Sequence, residues 1–463
     1  MSSVNGLFKK TKIVCTVGPA SSSKDTIRKM YRLGMNGVRI NTAYGTTAQY
    51  QSTIETVREV AEIPLIIDLK GPEIRLHATH PKTVAAGDVF EVGSEDELCF
   101  THDIYDNISV DDIVLIDNGK IRTVITKKSR RKLYLCASTG GVLEDGKGVN
   151  IPNKHLPVPT LCQKDLEIVT FSKKHNVEYA ALSFTRNAAD IEALKETQRF
   201  GGGIIAKIEN SEGVKNTAEI LEAADGIMVA RGDLGIEIDP EKVPLIQKKL
   251  IRQCNQRGRI VITATEMLES MIHNCDPTRA EVSDVANAIL DGSDAIMLSG
   301  ETAVGEFPVQ AVDMMARIAH ETEPAVKSKV EGTRFINISD TVSKAINEIS
   351  LSMPLDKVIT LTRTGYTARM LSRFKIAQPI IAVTPDVVVK KQLELAFGVK
   401  PVLINYLAEK DRISMVAQRL CKLRLIDDKD TVLFTAGERT TLKHASNAIE
   451  IHKVDELRKY SSF

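Results

Sequence analysis

Eight short apolar, β-branched runs limit what this chain can fold into more than any other feature. They are KIVCTVG (12–18), GVRIN (37–41), PLIIDL (64–69), YAALSF (179–184), GIIAKIE (203–209), GIMVA (226–230), RIVITAT (259–265) and AIMLSGE (295–301). Amphipathic stretches separate most of them at the spacing of a strand, a loop, a helix and a return, and eight such units close a parallel (β/α)8 TIM barrel. One interval is too long for this. Between PLIIDL and YAALSF lie about 110 residues, and the part spanning 71–159 carries short alternating runs such as GDVFEVG, DDIVLIDNG, IRTVITK and RKLYLCAS. This texture predicts an inserted all-β domain. After the eighth run the alternation restarts with KVITLT, PIIAVT, PVLI and TVLFTAG between helical stretches. The expected division is a barrel over 1–70 and 160–335, an inserted β domain over 71–159, and a C-terminal α/β domain with a mostly parallel sheet over 336–463.

In a barrel of this kind the chemistry sits at the C-terminal ends of the strands. Arg39 and Asn41 end the second run, Asp68 the third, Ser183 the fourth, Lys207 and Glu209 the fifth, Thr265 the seventh, and Ser299 and Glu301 the eighth. Asp233 follows the sixth in ARGDLG, and the strand starts carry almost nothing comparable. A period of two places Lys207 and Glu209 on one face of an apolar strand, where charge is rare. An isolated salt bridge would explain one such pair but not the gathering of all these residues at one end. Glu209 and Asp233 are hard oxygen ligands too few to enclose a metal, which suits Mg²⁺ that keeps waters and takes phosphate oxygens. Arg39 and Lys207 suit phosphate, and the amides of RGDLG suit a carboxylate. A divalent metal flanked by Lys and Arg is apparatus for neutralising a transferring phosphoryl group.

Composition removes other classes. Sixty-one Lys and Arg against sixty Asp and Glu leave a net charge of +1, without the basic excess that nucleic acid or an anionic membrane attracts. The seven cysteines are odd in number and lack CxxC spacing, so a reducing cytoplasm is expected rather than a disulfide framework or a zinc site. No apolar run reaches the length of a membrane span, and the start MSSVNGLFKKTKIVC lacks the apolar core of a signal peptide.

The segments KIVCTVGPAS, DLKGPEIR, AKIEN, MVARGDLGIEI, ATEMLESM and PTRAEVSDVANAILDGSDAIMLSGETAVGEFP together resemble the pyruvate kinase family, in the same order along the chain. The resemblance implies phosphoryl transfer from phosphoenolpyruvate to ADP, giving pyruvate and ATP in the last step of glycolysis, within a homotetramer. By it, Lys207 stabilises the transferring group, Glu209 and Asp233 hold Mg²⁺ or Mn²⁺, and Thr265 stands beside the enolpyruvate methylene. Arg39 binds phosphate, the Gly232 and Asp233 amides cradle the substrate carboxylate, and the inserted β domain is a mobile lid. Asp117, in LIDNGKI, is read either as part of a hairpin turn or as a lid residue reaching the site.

The chain also departs from the family pattern. RINTAYG stands where N-F-S-H-G usually follows the arginine, so Ala43 replaces a serine that helps bind K⁺, leaving Asn41, Asp68 and the Leu69 carbonyl. Glu73, by contrast, accompanies K⁺ dependence in the family, so both dependence and independence stay open. Tyr44 replaces a histidine and is expected either to stack on the nucleotide or to pack. Thr362, Arg363, Thr364, Gly365, Tyr366 and Thr367 resemble an effector phosphate loop, the alternative being an ordinary helix cap at Thr364. The segment AGERTTLKHASNAIEI departs from the usual glycine-rich effector loop, which disfavours fructose 1,6-bisphosphate and leaves another phosphorylated metabolite as activator. Two other readings remain: a metal-dependent keto-acid aldolase on a related barrel, which would need neither the lid nor Lys207, and a non-catalytic effector-binding relative, which would be expected to lose Lys207, Glu209, Asp233 or Thr265.

Overall fold

All eight runs form strands, buried apart from the partly exposed Arg39 and Asn41, because helices cover one face and the barrel lumen the other. The structure, a computed structural model, describes residues 8–94, 96–197, 200–328, 330, 337–407, 411–436 and 447–460. The strands are β1 (Lys12–Thr16), β2 (Met35–Asn41), β3 (Leu65–Leu69), β4 (Tyr179–Leu182), β5 (Gly203–Ile208), β6 (Gly226–Ala230), β7 (Ile260–Ala264) and β8 (Ala295–Leu298). They pair in parallel in chain order, and β8 returns to β1 to close the barrel.

Alternation along each strand sorts its side chains into lumen and wall. Val14, Ile66, Tyr179, Ala181, Ile205, Met228, Ile262 and Met297 fill the lumen as one apolar cluster. Two residues further along the same faces come Thr16, Asp68, Ser183 and Lys207, so polar groups form the next layer toward the C-terminal mouth. The period of two that makes Lys207 odd in the sequence thus delivers it to that mouth.

The insertion builds an antiparallel sheet in the spatial order Val149–Asn150, Ile113–Ile116, Ile121–Ser129, Lys132–Ala137 and Val89–Gly93. Phe90, Ile116, Ile125, Leu133 and Leu135 lie in its own apolar core. One hairpin turns through Asp117, Asn118 and Gly119, all with positive φ (53°, 54° and 79°). Asn and Gly tolerate that region, which is why DNG turns here.

The C-terminal sheet contains β9 (Lys357–Leu361), β10 (Ile380–Thr384), β11 (Val399–Leu403), β12 (Thr431–Ala436) and β13 (Ala448–Lys453), ordered 11-10-9-12-13. Only the β12–β13 pairing is antiparallel among its described strands. Leu395, just past the helix Val387–Leu393 of this domain, is fully buried in the lumen cluster of the barrel and closes its floor. The position is tight: a Cβ on Gly37 of β2 would stand 3.0 Å from Leu395 Cδ2.

That floor corrects the expectation that strand starts lack charge. Lys12, Glu178 and Asp294 stand at or just before β1, β4 and β8 and are 2%, 2% and 5% exposed. Lys12 Nζ donates to the Val399 carbonyl (2.7 Å). Glu178 pairs with Lys391 (2.8 Å) and Asp294 with Lys375 (2.6 Å). Their partners come from the C-terminal domain, so reading the barrel runs by themselves gives no sign of them.

Candidate active site

At the mouth, Arg39, Asp68, Ser183, Lys207 and Glu209 form one hydrogen-bonded chain. Arg39 Nε donates to Asp68 Oδ2 (2.6 Å) and its Nη1 to the Thr16 hydroxyl (3.0 Å). A guanidinium has five N–H donors, so Arg39 keeps capacity for an anion. Lys207 Nζ reaches Ser183 Oγ (2.7 Å), Glu209 Oε1 (2.8 Å) and Asp68 Oδ1 (3.1 Å), which occupies all three ammonium protons. Burial works against that charge, but Asp68 and Glu209 outweigh it and hold the Lys207 ammonium well above the ordinary lysine range. Burial likewise opposes charge on Asp68, where Lys207 and Arg39 prevail and hold the carboxyl low.

Glu209 behaves differently. Burial, offset in part by Lys207 and reinforced by Asp233, pushes its carboxyl up to about 7. Its second oxygen accepts from the Phe184 amide (2.7 Å), and Phe184 is itself held at φ 54°. Asp233 lies in the first turn of the helix Arg231–Glu237, where Gly232 and Gly235 leave the backbone close to the cavity. Its carboxylate makes no hydrogen bond among the described residues. Three carboxylates (Asp68, Glu209 and Asp233) against two fixed cations (Arg39 and Lys207) leave a surplus of negative charge, and an elevated buried Glu is a donor that a divalent cation would recharge. The donor set therefore fits Mg²⁺ or Mn²⁺ bound through two carboxylates and outer oxygens. No group of three or more His, Cys, Asp or Glu suited to a metal occurs among the described residues.

Thr265 follows β7 with φ 65° and Glu266 with φ 53°. A β-branched residue in this region is a marked outlier. The Thr265 hydroxyl donates to the Ala264 carbonyl (2.6 Å) and accepts the Gly232 amide (2.8 Å). The Gly232 N–H of the expected carboxylate cradle is thus given to Thr265, whereas the Asp233 N–H, in the first helical turn, has no intrahelical acceptor. Thr265, Gly232, Asp233 and Ser299 line a cavity of about 1030 Å³, which the lid residue Asn118 also borders.

Other expected residues are placed differently. Glu301 is 1% exposed and turns to the amides of Leu268 (3.1 Å) and Ser299 (2.7 Å), so it braces loops rather than facing the cavity. Asn41 Oδ1 accepts the Ala43 amide (3.0 Å), and both Asp68 oxygens serve Arg39, Lys207 and Ser183, so the two side chains expected at a K⁺ site are already engaged. Leu69 is fully buried. The Tyr44 side chain is 78% exposed, which overturns packing. Asp117 pairs with Lys147 (3.4 Å) and Lys120 (3.3 Å) within the lid, in the hairpin turn. Ser183 was legible only as a strand-end hydroxyl and Thr16 not at all; counting the lumen parity across β1 and β4 would have placed them beside Arg39 and Lys207.

In the C-terminal domain, Thr362 and Thr367 are buried, Arg363 and Thr364 exposed, and Gly365 is the N-cap of the helix Tyr366–Ser372 with φ 76°. No side chain caps that helix, although Thr364 Oγ1 accepts the Tyr366 amide at 3.4 Å. Residues 437–446 of the AGERTTLKHAS segment lie outside the described residues.

A (β/α)8 barrel bearing an inserted β domain, a lysine and an arginine at its mouth and two carboxylates suited to a divalent cation defines a phosphotransferase. Comparison makes this specific. Residues 8–312 match the family model for the pyruvate kinase barrel domain and residues 340–452 that for the pyruvate kinase alpha/beta domain. The chain is 38% identical to a pyruvate kinase of Sporosarcina psychrophila, over 97% of this chain and 81% of that one. It is 39% identical to a pyruvate kinase of Bacillus licheniformis over 93% and 78%. A crystal structure of a pyruvate kinase from Cryptosporidium parvum superposes with a TM-score of 0.90 at 32% identity, covering 96% of each chain. The chain belongs to the pyruvate kinase family.

Proposed function

We propose that this site transfers the phosphoryl group of phosphoenolpyruvate to ADP and then protonates the resulting enolate at its methylene carbon, giving pyruvate and ATP. The observation that carries this reading is Lys207, a buried ammonium held charged among Asp68, Glu209 and Ser183. Such a group is preorganised for charge developing on a transferring phosphoryl group. To reach it, Lys207 exchanges one of its three partners for a phosphoryl oxygen. Arg39, with donors to spare beyond Asp68 and Thr16, orients the phosphate. Glu209 and Asp233 would hold Mg²⁺ or Mn²⁺, which when bound neutralises phosphate charge. The Asp233 amide faces the carboxylate, and Thr265 stands where the methylene carbon takes its proton. The hairpin at Asn118 borders the cavity, and closure of the inserted domain would limit water there.

The engaged acceptor oxygens of Asn41 and Asp68, with Ala43 beside them, support a rate independent of K⁺. Thr362–Thr367 would take a phosphorylated activator. The family resemblance supports a homotetramer, and seven free cysteines suit the cytoplasm. No helix among the described residues is long and apolar enough to cross a membrane. The test is the initial rate of pyruvate formation from phosphoenolpyruvate, ADP and Mg²⁺ in a buffer free of monovalent activators, with K⁺ then added. Pyruvate formed at full rate without K⁺ is expected. A rate that climbs with K⁺ overturns the cation reading alone, and no pyruvate with or without phosphometabolites overturns the reaction.

A further inference from the structure

Two residues within the most family-like segments have no part in the chemistry above. Arg231 opens RGDLG, and Asp284 lies in the helix Arg279–Leu290, whose start is fixed by a Thr278–Glu281 capping box. Arg231 is 7% exposed. Its guanidinium turns toward the loop that follows β7 and toward Asp284. Nη2 donates to the Thr265 carbonyl (2.6 Å), the Glu266 carbonyl (2.9 Å) and Met267 Sδ (2.9 Å), and Nε reaches the Thr265 carbonyl (3.2 Å). Nη1 donates to Asp284 Oδ2 (2.5 Å). All three nitrogens are thus engaged by the loop and its anchor.

The loop needs such support. Thr265 and Glu266 are consecutive left-handed residues, one of them β-branched, and an unheld backbone of this kind relaxes toward the extended or right-handed regions. Relaxation would swing the Thr265 hydroxyl away from its present place. Arg231 holds the backbone of Thr265 while the next residue, Gly232, holds its hydroxyl through the amide (2.8 Å). Asp233 follows directly, so one helix start ties the Thr265 hydroxyl to a candidate metal carboxylate. A planar fork spans two carbonyls and a carboxylate at once; a lysine ammonium at the same position lacks that shape.

We infer that Arg231, anchored by Asp284, is a positioning residue that fixes the left-handed backbone at Thr265 and so sets where the Thr265 hydroxyl stands during protonation of the enolate. The inference rests on the role proposed for Thr265 above.

The test is a double-mutant cycle on the full chain with Mg²⁺, reading kcat and the KM for phosphoenolpyruvate. Arg231→Lys keeps the charge but loses the fork, and lowers kcat about 100-fold, the cost of a misplaced reacting group, with KM changed by less than about twofold. Asp284→Asn, at a side chain 40% exposed, loosens the anchor without burying a new group and lowers kcat about tenfold. In a Thr265→Ala background neither substitution lowers kcat further, because the group they position is gone. Losses that multiply in that background, or full kcat in Arg231→Lys, overturn the inference. If Thr265→Ala is impaired while Arg231→Lys is not, this inference alone falls; if Thr265→Ala keeps full kcat, the role of Thr265 falls with it.

Discussion

At the scale of the residue, the site is defined by how charge is kept inside the protein. Lys207 stays an ammonium because Asp68 and Glu209 stand against it at 3.1 and 2.8 Å. Lys207→Gln keeps hydrogen-bonding capacity and deletes the charge, so kcat for pyruvate formation is expected to fall roughly 100- to 1,000-fold. Steady-state kinetics checks this, and an unchanged kcat would remove Lys207 from the chemistry. Lys9 is the opposite case. Its amine, bonded to the Thr11 carbonyl and to Asn36 Oδ1, is pushed down to about 7 by burial, with Lys12 adding to it. The native amine therefore loses its proton near pH 7, whereas the unfolded one keeps it until near 10.5. Between those values the unfolded chain binds more protons, so stability rises with pH by up to about 1.4 kcal/mol per unit; below them both forms are charged and the slope disappears. Urea unfolding of the protein and of Lys9→Met across that window should show this slope only when Lys9 is present.

At the scale of the element, strands deliver the chemistry and short helices aim it. The helix Arg231–Glu237 also meets the lid: Asn150 Nδ2 donates to Glu237 Oε1 (3.0 Å). Asn150→Ala removes this tie and leaves a half-buried carboxyl unpaired, so the KM for ADP is expected to rise several-fold in initial-rate assays while the barrel stays folded; an unchanged KM would show that the tie does not hold the lid. The strands and the lid were readable because runs of β-branched residues with a period of two have few ways to be buried. Arg39, Asp68, Lys207, Glu209, Asp233 and Thr265 were readable because strand ends map to one face. The floor charges Lys12, Glu178 and Asp294 were not, since their partners lie on another domain. Nor was Arg231's hold on Thr265, because no residue pattern announces a left-handed Thr, and the commitment of the Gly232 amide follows from that same turn.

At the scale of the whole molecule, the barrel and the C-terminal domain share one core at Leu395. Leu395→Ala should destabilise the protein by about 2–5 kcal/mol, measured as a lower urea midpoint. If instead the two domains unfold in separate transitions with the barrel's unaffected, the shared core is not what holds the floor. The effector-like loop is close to the same segment: a Cβ on Gly365 would lie 3.1 Å from Leu393 Cδ2, two residues before the plug. The domain that resembles a regulator is therefore also the stopper of the vessel it would regulate. Evolution and the protein engineer face the same restriction here: the catalytic half cannot be lifted out or grafted onto a foreign partner at the junction near residue 337 unless the graft brings its own cork.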